Sequence, residues 1–344
     1  MLFLWLLCLI AMIGLLRADE KQPKFEDYGE IVLPSVGFGT AGLGGTTHDT
    51  VLQSLKLGVR MIDSAQAQEW YQEQGVGSGI TAFKAENSEK IYIVTKVHPR
   101  SFGLEKMDSR LALSREYLQS DTLDAVLLHS PWCWPGHCST EEQKIGWQSG
   151  WKHLEELKEK HHIHNIGVSN FHLDLMKDLV ANVATKKVST VQNWMDPFHQ
   201  DRGVREFAQH HGIQYMAYSS LGTQWGNANK RRLAALGITG NPVLNSPVLQ
   251  DIAQKHASSV PQVVLAWLLA EGVVAIPRTS NAEHMQDNFA FLNAAQNCDG
   301  RESDRSAEDD ATSTCSIVTP VNLDADDLSR IRSLDGSIGD LWDS

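Results

Sequence analysis

The feature that most constrains this chain is a repeated alternation of short β-branched runs with longer amphipathic stretches, from about Val36 to Phe291. Such runs are typical of buried strands, and the stretches between them have helical periodicity. Repeated βα units of this kind build parallel sheets. The strands are predicted at residues 36–39, 60–63, 91–96, 123–129, 163–168, 190–192, 213–218 and 273–276.

Eight such units predict a closed (β/α)8 barrel, the TIM-barrel class of α/β proteins, as a single domain. A length of 344 residues suits one barrel with insertions. Helices are predicted at 108–118, 148–160 and 261–270, between the strands. In this fold the loops after the carboxyl ends of the strands form the active site, so polar residues at those positions are the first candidates for function.

Residues 1–18 are predicted to be a secretory signal peptide, because an apolar stretch gives way to the charged run Asp19-Glu20-Lys21. The stretch lacks a basic start, and Leu16 is bulky for a cleavage site after Ala18, so an uncleaved membrane anchor is the alternative. We therefore expect a secreted or lumenal protein, bound to a membrane only if this segment is kept. The barrel is assigned to residues 30–344.

A polar, acidic stretch at residues 294–320 interrupts the alternation of strands and helices. It contains Glu302, Asp304, Glu308, Asp309 and Asp310. This composition favours a surface insertion over a part of the core. Helical periodicity resumes over residues 324–334, so the insertion is predicted to precede a C-terminal helix.

Apart from Cys8, which lies in the apolar start, the cysteines form two close pairs: Cys133 with Cys138, and Cys298 with Cys315. In an oxidising compartment these neighbours are expected to form disulfides. Four free thiols are the alternative if the protein never enters the secretory route. A zinc site is a second alternative for one pair, formed by His129, Cys133, His137 and Cys138, but their spacing matches no closed structural zinc pattern.

The glycine pattern Gly37-Phe38-Gly39-Thr40-Ala41-Gly42 matches that of dinucleotide-binding Rossmann folds, with Asp63 lying 21 residues beyond Gly42. That motif requires a strand before it and a helix immediately after it. Pro34 precedes the match, and Gly44-Gly45 weakens a helix there. An open Rossmann sheet is therefore the less favoured fold.

Three predicted strands end at chemically useful residues. Asp63 closes Gly58-Val59-Arg60-Met61-Ile62-Asp63, Lys96 closes Ile93-Val94-Thr95-Lys96, and His129 follows Leu127-Leu128. Further motifs follow in order: Gly167-Val168-Ser169-Asn170-Phe171, Tyr218-Ser219 and Ile276-Pro277-Arg278-Thr279-Ser280. Together these segments resemble the aldo-keto reductase superfamily over nearly all of the chain from Leu33 to Leu334.

The resemblance implies a catalytic tetrad of Asp63, Tyr71, Lys96 and His129. In much of the family the tyrosine stands where this chain has Gln68, and a local insertion of about two or three residues brings Tyr71 to that place. Hydride arriving at a carbonyl carbon builds negative charge on oxygen, which an acid must protonate. We expect Lys96 to lower the pKa of Tyr71, Asp63 to hold the ammonium, and His129 to orient the substrate oxygen. A plain buried ion pair and a core histidine are the structural alternatives.

The resemblance also implies a nicotinamide cofactor. Ser169, Asn170 and Gln192 are expected to bind the nicotinamide amide while Tyr218 stacks on the ring. Arg278 and its neighbours occupy the places that bind the adenosine 2′-phosphate, which favours NADP(H), with NAD(H) as the alternative. The preference is weakened by His284, which stands where the family often has an arginine. The complete set of cofactor-binding candidates is Gly39, Thr40, Ser169, Asn170, Gln192, Tyr218, Ser219, Arg278, Thr279, Asn281, Asp287 and Asn288.

The expected activity is therefore the reduction of an aldehyde or ketone by direct hydride transfer from NADPH, without a metal. The alternative is a catalytically silent barrel that binds nucleotide as a regulatory or structural subunit. A net charge of −12 argues against nucleic acid as a partner, and a monomer acting on a small carbonyl compound is expected. Trp132, Trp134 and Trp194 are candidates for the pocket wall, which a Cys133–Cys138 disulfide would stiffen.

Overall fold

The computed structural model describes residues 31–226, 230–299 and 319–339. Within them, eight parallel strands lie side by side in the order of the sequence. They are β1 Phe38–Gly39, β2 Met61–Asp63, β3 Tyr92–Val97, β4 Leu123–Leu128, β5 Ile163–Ser169, β6 Thr190–Trp194, β7 Gln214–Tyr218 and β8 Val274–Ala275. Each of these strands overlaps one of the runs predicted from the sequence.

The first and last strands meet and close the sheet into a barrel. Val36 pairs in parallel with Ala275, and the Gly37 amide donates a hydrogen bond to the Ala275 carbonyl at 2.8 Å. The Gly39 amide continues this seam with a bond to the Pro277 carbonyl at 3.1 Å. The predicted (β/α)8 barrel is therefore confirmed, and the open Rossmann sheet is excluded, because an open sheet has no such closure.

Helices follow the strands and cover the outside of the barrel. They are α1 Thr47–Lys56, α2 Glu73–Lys84, α3 Leu104–Tyr117, α4 Thr140–Gln143, α5 Trp147–Leu157, α6 Leu173–Asp178, α7 Arg202–His210, α8 Lys230–Ala235, α9 Pro247–Lys255, α10 Val260–Ala270, α11 Ala282–Asp299 and α12 Ala325–Arg332. Helix α10 begins with a capping box, in which Ser259 and Gln262 satisfy each other's backbone amides. Helix α12 begins in the same way at Asp324.

The core has two layers, as expected when a closed sheet is wrapped by helices. The larger layer fills the space between the strands and the helices. The smaller one fills the inside of the barrel and consists of Leu33, Met61, Val94, Ala125, Leu127, Met216, Val274 and Ile276. Each of these side chains other than that of Ala125 stabilises the fold by about 1.5–3 kcal/mol through burial. The filled interior leaves the carboxyl ends of the strands as the place for a site.

Helix packing against the barrel needs glycine at one close approach. A Cβ atom on Gly77, in α2, would lie 2.1 Å from the Tyr117 carbonyl oxygen at the end of α3. Any larger side chain would push the two helices apart. The position of α2 matters because the segment just before it carries Tyr71.

Several predictions concern the ends of the chain. Helix α11 extends to Asp299, so residues 294–299 of the predicted insertion are helical, and the rest of it up to residue 318 lies outside the described residues. The predicted signal segment at residues 1–18 also lies outside the described residues. So does Cys315, which was predicted to pair with Cys298. None of the helices in the described ranges is long and apolar enough to cross a membrane.

Candidate active site

A cavity of about 460 Å³ opens at the carboxyl ends of the strands. Asp63 ends β2, Lys96 lies near the end of β3, and His129 follows β4 directly. Parallel strands bring these ends to one rim of the barrel. The cavity is lined by Gly39, Ala41, Asp63, Trp70, Tyr71, His129, Trp134, Ser169, Asn170, Gln192, Tyr218, Ser219, Ser220, Leu221, Thr223, Gln224, Ile276, Pro277 and Arg278.

A buried ion pair lies at the base of this cavity. The Lys96 ammonium donates to both oxygens of Asp63, at 2.8 and 2.7 Å, and to the Ser64 carbonyl at 2.8 Å. The Gln192 amide donates to Asp63 Oδ1 at 2.8 Å. Burial lowers the pKa of Lys96, and the Asp63 carboxylate opposes that shift. A buried charge needs such a set of partners, so the pair is held in one geometry.

Tyr71 lies above the pair, in the turn that leads into α2. Its ring centroid is 5.2 Å from the Lys96 ammonium and 5.8 Å from the centroid of the His129 ring. Burial raises the pKa of Tyr71 strongly, the Asp63 carboxylate adds to this, and the Arg278 guanidinium opposes it. The net shift is therefore upward, against the lowering expected from the sequence, because desolvation of the phenol outweighs the favourable effect of nearby cations. The phenol is protonated at neutral pH, as a proton donor must be.

His129 forms the third face of the site. Burial holds its pKa well below the usual value, and the nearby Lys96 and His98 act in the same direction. The ring is therefore neutral at physiological pH and carries a single N–H. It packs edge-on against Trp134, with ring centroids 5.1 Å apart. A neutral imidazole in this place can donate one hydrogen bond without adding a positive charge.

A chain of hydrogen bonds links the residues proposed to hold the nicotinamide. The Tyr218 hydroxyl donates to Asn170 Oδ1 at 2.6 Å, and the Asn170 amide donates to the His129 carbonyl at 2.8 Å. Asn170 has a left-handed backbone, with φ of 62°, which asparagine tolerates better than most residues. Gly39, Ser169, Gln192, Ser219 and Arg278 also line the cavity.

Other cofactor candidates do not line the cavity. The Thr40 hydroxyl is buried and donates to the Asp63 carbonyl at 2.8 Å. Asn281 caps the start of α11, where its side-chain oxygen accepts from the backbone amide of His284. The backbone amide of Asn281 donates to the Thr279 hydroxyl. The Asp287 carboxylate accepts from the Ser259 hydroxyl at 2.5 Å. Asn288 is buried on the same helix.

The cavity nevertheless suits a dinucleotide phosphate. Arg278 is exposed at its edge, and no carboxylate in the described ranges forms an ion pair with it. The Ser220 hydroxyl on the wall is buried without a hydrogen-bond partner among the described residues. Gly42 has a φ of 70°, and a Cβ atom on it would lie 3.8 Å from an Arg278 nitrogen. An unpaired guanidinium, an unused hydroxyl and a side-chain-free loop are features that accommodate an anionic group.

Sequence reasoning missed a polar cluster behind the cavity. His98, two residues beyond Lys96, lies beside Glu69, Arg100 and His137. Its position after a strand is the same signal that identified Lys96 and His129. Of the four residues considered as the zinc alternative, Cys133 and Cys138 lie together, but the histidine with a ring nitrogen within 4.8 Å of their sulfurs is His98, not His129 or His137. Those two cysteines form a disulfide, as one pair was predicted to do.

The three tryptophans proposed for the pocket wall have different positions. Trp134 lines the cavity together with Trp70, and their ring centroids are 5.6 Å apart. Trp132 is 45% exposed and does not line it. Trp194 is buried and lines a smaller cavity of about 250 Å³ beside Asn170.

The closed barrel carries a Lys–Asp pair, a tyrosine and a neutral histidine together at its carboxyl rim, which is an enzyme-like site able to donate a proton. The sequence profile of the Aldo/keto reductase family matches residues 35–299. The chain belongs to this family, and the resemblance seen in the sequence is confirmed.

Individual relatives agree with this assignment. The 9,11-endoperoxide prostaglandin H2 reductase of Trypanosoma cruzi (strain CL Brener) is 32% identical over 264 residues, covering 76% of this chain and 83% of its own. The NADPH-dependent D-xylose reductase of Meyerozyma guilliermondii is 28% identical over 277 residues, covering 75% and 85%. The crystal structure of an aldo/keto reductase from Brucella melitensis has the same fold, with a TM-score of 0.66 at 24% identity, covering 88% of this chain and 95% of that one. Relatives named as reductases support an oxidoreductase.

Proposed function

We propose that this protein reduces an aldehyde or ketone to an alcohol by direct hydride transfer from NADPH, with Tyr71 as the proton donor. The observation that carries the proposal is the convergence of Tyr71, His129 and the Asp63–Lys96 pair on one cavity. Family membership and the reductase names of the relatives support the reaction class.

The residues have separate tasks in this mechanism. The bound nicotinamide supplies the hydride. The protonated Tyr71 phenol gives its proton to the carbonyl oxygen as negative charge develops there. The Lys96 ammonium, 5.2 Å from the Tyr71 ring centroid, stabilises the phenolate that remains. The neutral His129 ring donates a hydrogen bond that orients the carbonyl, and Trp70 and Trp134 narrow the mouth of the cavity.

NADP(H) is the proposed cofactor because of Arg278. Its guanidinium is the exposed cation of the cavity wall, and a planar, always-charged group suits a dianionic 2′-phosphate. The name of the Meyerozyma relative, an NADPH-dependent reductase, agrees with this choice. We also propose a secretory location, because residues 1–18 form an apolar segment. We propose a monomer, because the barrel closes within one chain.

The test compares wild type with Tyr71→Phe, using loss of NADPH absorbance with a reactive aromatic aldehyde. We expect kcat to fall about 100-fold or more in the variant, which is the usual contribution of a general acid. NADPH affinity, measured by fluorescence, should be unchanged. Trp70→Phe, at the adjacent cavity-lining position, is the matched control and should keep most of its kcat. If wild type binds NADPH but turns over no aldehyde or ketone, the protein is instead a silent nucleotide-binding barrel.

A further inference from the structure

A six-residue loop closed by the Cys133–Cys138 disulfide forms part of the cavity wall. The two Cα atoms are 6.1 Å apart, and both cysteines are only half-buried. Trp134, inside this ring, is the residue of the loop that lines the cavity. Its indole packs on His129, with centroids 5.1 Å apart, and on Trp70 at 5.6 Å. The disulfide therefore encloses a residue that contacts the candidate catalytic histidine.

Few polar contacts fix this loop to the barrel. The His137 ring bonds Glu69 Oε1 at 3.0 Å, and the Gln143 side chain donates to the Cys138 carbonyl at 3.2 Å. In the described part of the chain the Trp134 indole nitrogen makes no hydrogen bond. The position of Trp134 therefore depends on ring packing and on the covalent closure of the loop. Opening the disulfide would return conformational freedom to the segment that holds it.

His98 lies beneath the loop with an unused hydrogen-bond donor. Its Nδ1 accepts from the Arg100 amide at 3.1 Å, so in the neutral ring the proton is on Nε2. Burial, aided by Arg100, lowers the pKa of His98 to about 4, which keeps the ring neutral. Nε2 is buried and makes no hydrogen bond among the described residues, since Glu69 Oε1 lies 4.0 Å away. A ring nitrogen of His98 lies within 4.8 Å of both sulfurs.

This arrangement suits thiol–disulfide exchange better than metal binding. A metal on Nε2 would require the proton to move to Nδ1, where it would face the Arg100 N–H. The His98 ring, with a nitrogen within 4.8 Å of both sulfurs, is instead placed to stabilise the thiolate that leaves when an external thiol attacks the bond. The half-buried cysteines leave the bond within reach of a small thiol.

Resting on the function proposed above, we propose that the Cys133–Cys138 loop is a thiol-sensitive specificity element, which holds Trp134 against flat aromatic substrates only while the disulfide is closed. A dithiol is the co-reactant. Its two sulfurs displace the S–S bond in turn, so the protein gains two electrons and two protons as two thiols. The dithiol leaves as a disulfide. Small aliphatic carbonyls offer no flat ring to pack on Trp134, so both forms should reduce them equally.

The experiment uses the full chain carrying Cys8→Ser, Cys298→Ser and Cys315→Ser, so that thiol titration after dithiothreitol reports the Cys133–Cys138 bond. Reduction should raise KM for an aromatic aldehyde about three- to tenfold, which is the cost of ordering one large side chain on binding. KM for propanal and the Kd of NADPH should change less than about twofold. The double variant Cys133→Ser/Cys138→Ser should have the KM of the reduced protein for the aromatic aldehyde, and dithiothreitol should not change it. Trp134→Ala should lose the aromatic preference, while the control Trp132→Ala should keep it.

Two readouts are independent of turnover: the Kd of the aromatic aldehyde from tryptophan fluorescence, and hydrogen exchange of residues 131–139. Faster exchange and weaker aldehyde binding after reduction support the proposal even if no carbonyl is reduced, an outcome that would reject the proposed function alone. The loop proposal is overturned if the bond resists dithiothreitol in the folded protein. It is also overturned if titrated thiols appear while exchange and aldehyde affinity stay unchanged.

Discussion

The Asp63–Lys96 pair allows a structural role and a catalytic role to be separated. Lys96 is 1% exposed and Asp63 3% exposed, and apart from Lys96 the side chain that donates to this carboxylate is that of Gln192. Lys96→Met removes the cation and keeps an unbranched side chain of nearly the same length. The buried carboxylate is then left with one neutral donor, and breaking such a pair costs about 3–5 kcal/mol in the free energy of unfolding.

The double variant Asp63→Asn/Lys96→Met removes both charges together. Since no charge is then left unpaired, it should recover at least about 2 kcal/mol of the loss seen in Lys96→Met. Guanidinium unfolding followed by circular dichroism measures both values. Activity should not recover, because the double variant lacks the ammonium that stabilises the Tyr71 phenolate. A loss of less than about 1 kcal/mol in the free energy of unfolding of Lys96→Met would show that the pair has no such structural role. A stable and fully active double variant would show that it has no catalytic role.

Two further predictions concern single side chains. The pKa of His98 is about 4 in the folded protein and 6.5 ordinarily. As the pH falls below 6.5, the unfolded chain therefore takes up this proton before the folded protein does. The free energy of unfolding contributed by the neutral ring is thus present above pH 6.5 and is lost as the pH falls towards 4. His98→Phe should remove about 3 kcal/mol of this loss in pH-dependent unfolding. An equal dependence of the free energy of unfolding on pH in wild type and variant would contradict it. Arg278→Gln should raise the Kd of NADPH about tenfold or more and leave that of NADH nearly unchanged in fluorescence titrations. An equal loss for both cofactors would show that Arg278 does not bind the 2′-phosphate.

The sequence was sufficient to predict the barrel and the positions of Asp63, Lys96 and His129. Each of these residues ends or follows a strand, and parallel strands place their carboxyl ends on one rim whatever the helices do. Their proximity follows from topology alone. Tyr71 is different, because it lies in a loop, and its place beside Lys96 depends on how α2 packs.

Other features depend on packing that local sequence does not encode. The pKa of Tyr71 is set by burial, and the sequence suggested only its charged neighbours. The Thr40 hydroxyl and the Asp287 carboxylate were expected to bind the cofactor, but in the structure they form hydrogen bonds with other protein groups. Which partner such a group binds depends on the folded structure, and the local sequence does not determine it. The contact of His98 with the disulfide loop joins segments from two different βα units, and the spacing of the cysteines gave no sign of it.

The short seam between β1 and β8 has a consequence for how the protein is made. These strands lie at opposite ends of the barrel sequence, so a growing chain cannot complete the sheet until Ala275 has left the ribosome. Gly39, the last residue of β1, and Arg278, three residues after β8, lie at this seam, and both line the cavity. Nucleotide binding should therefore appear only after synthesis is nearly finished, and a nascent chain halted before residue 275 should have most of its strands but no cofactor affinity.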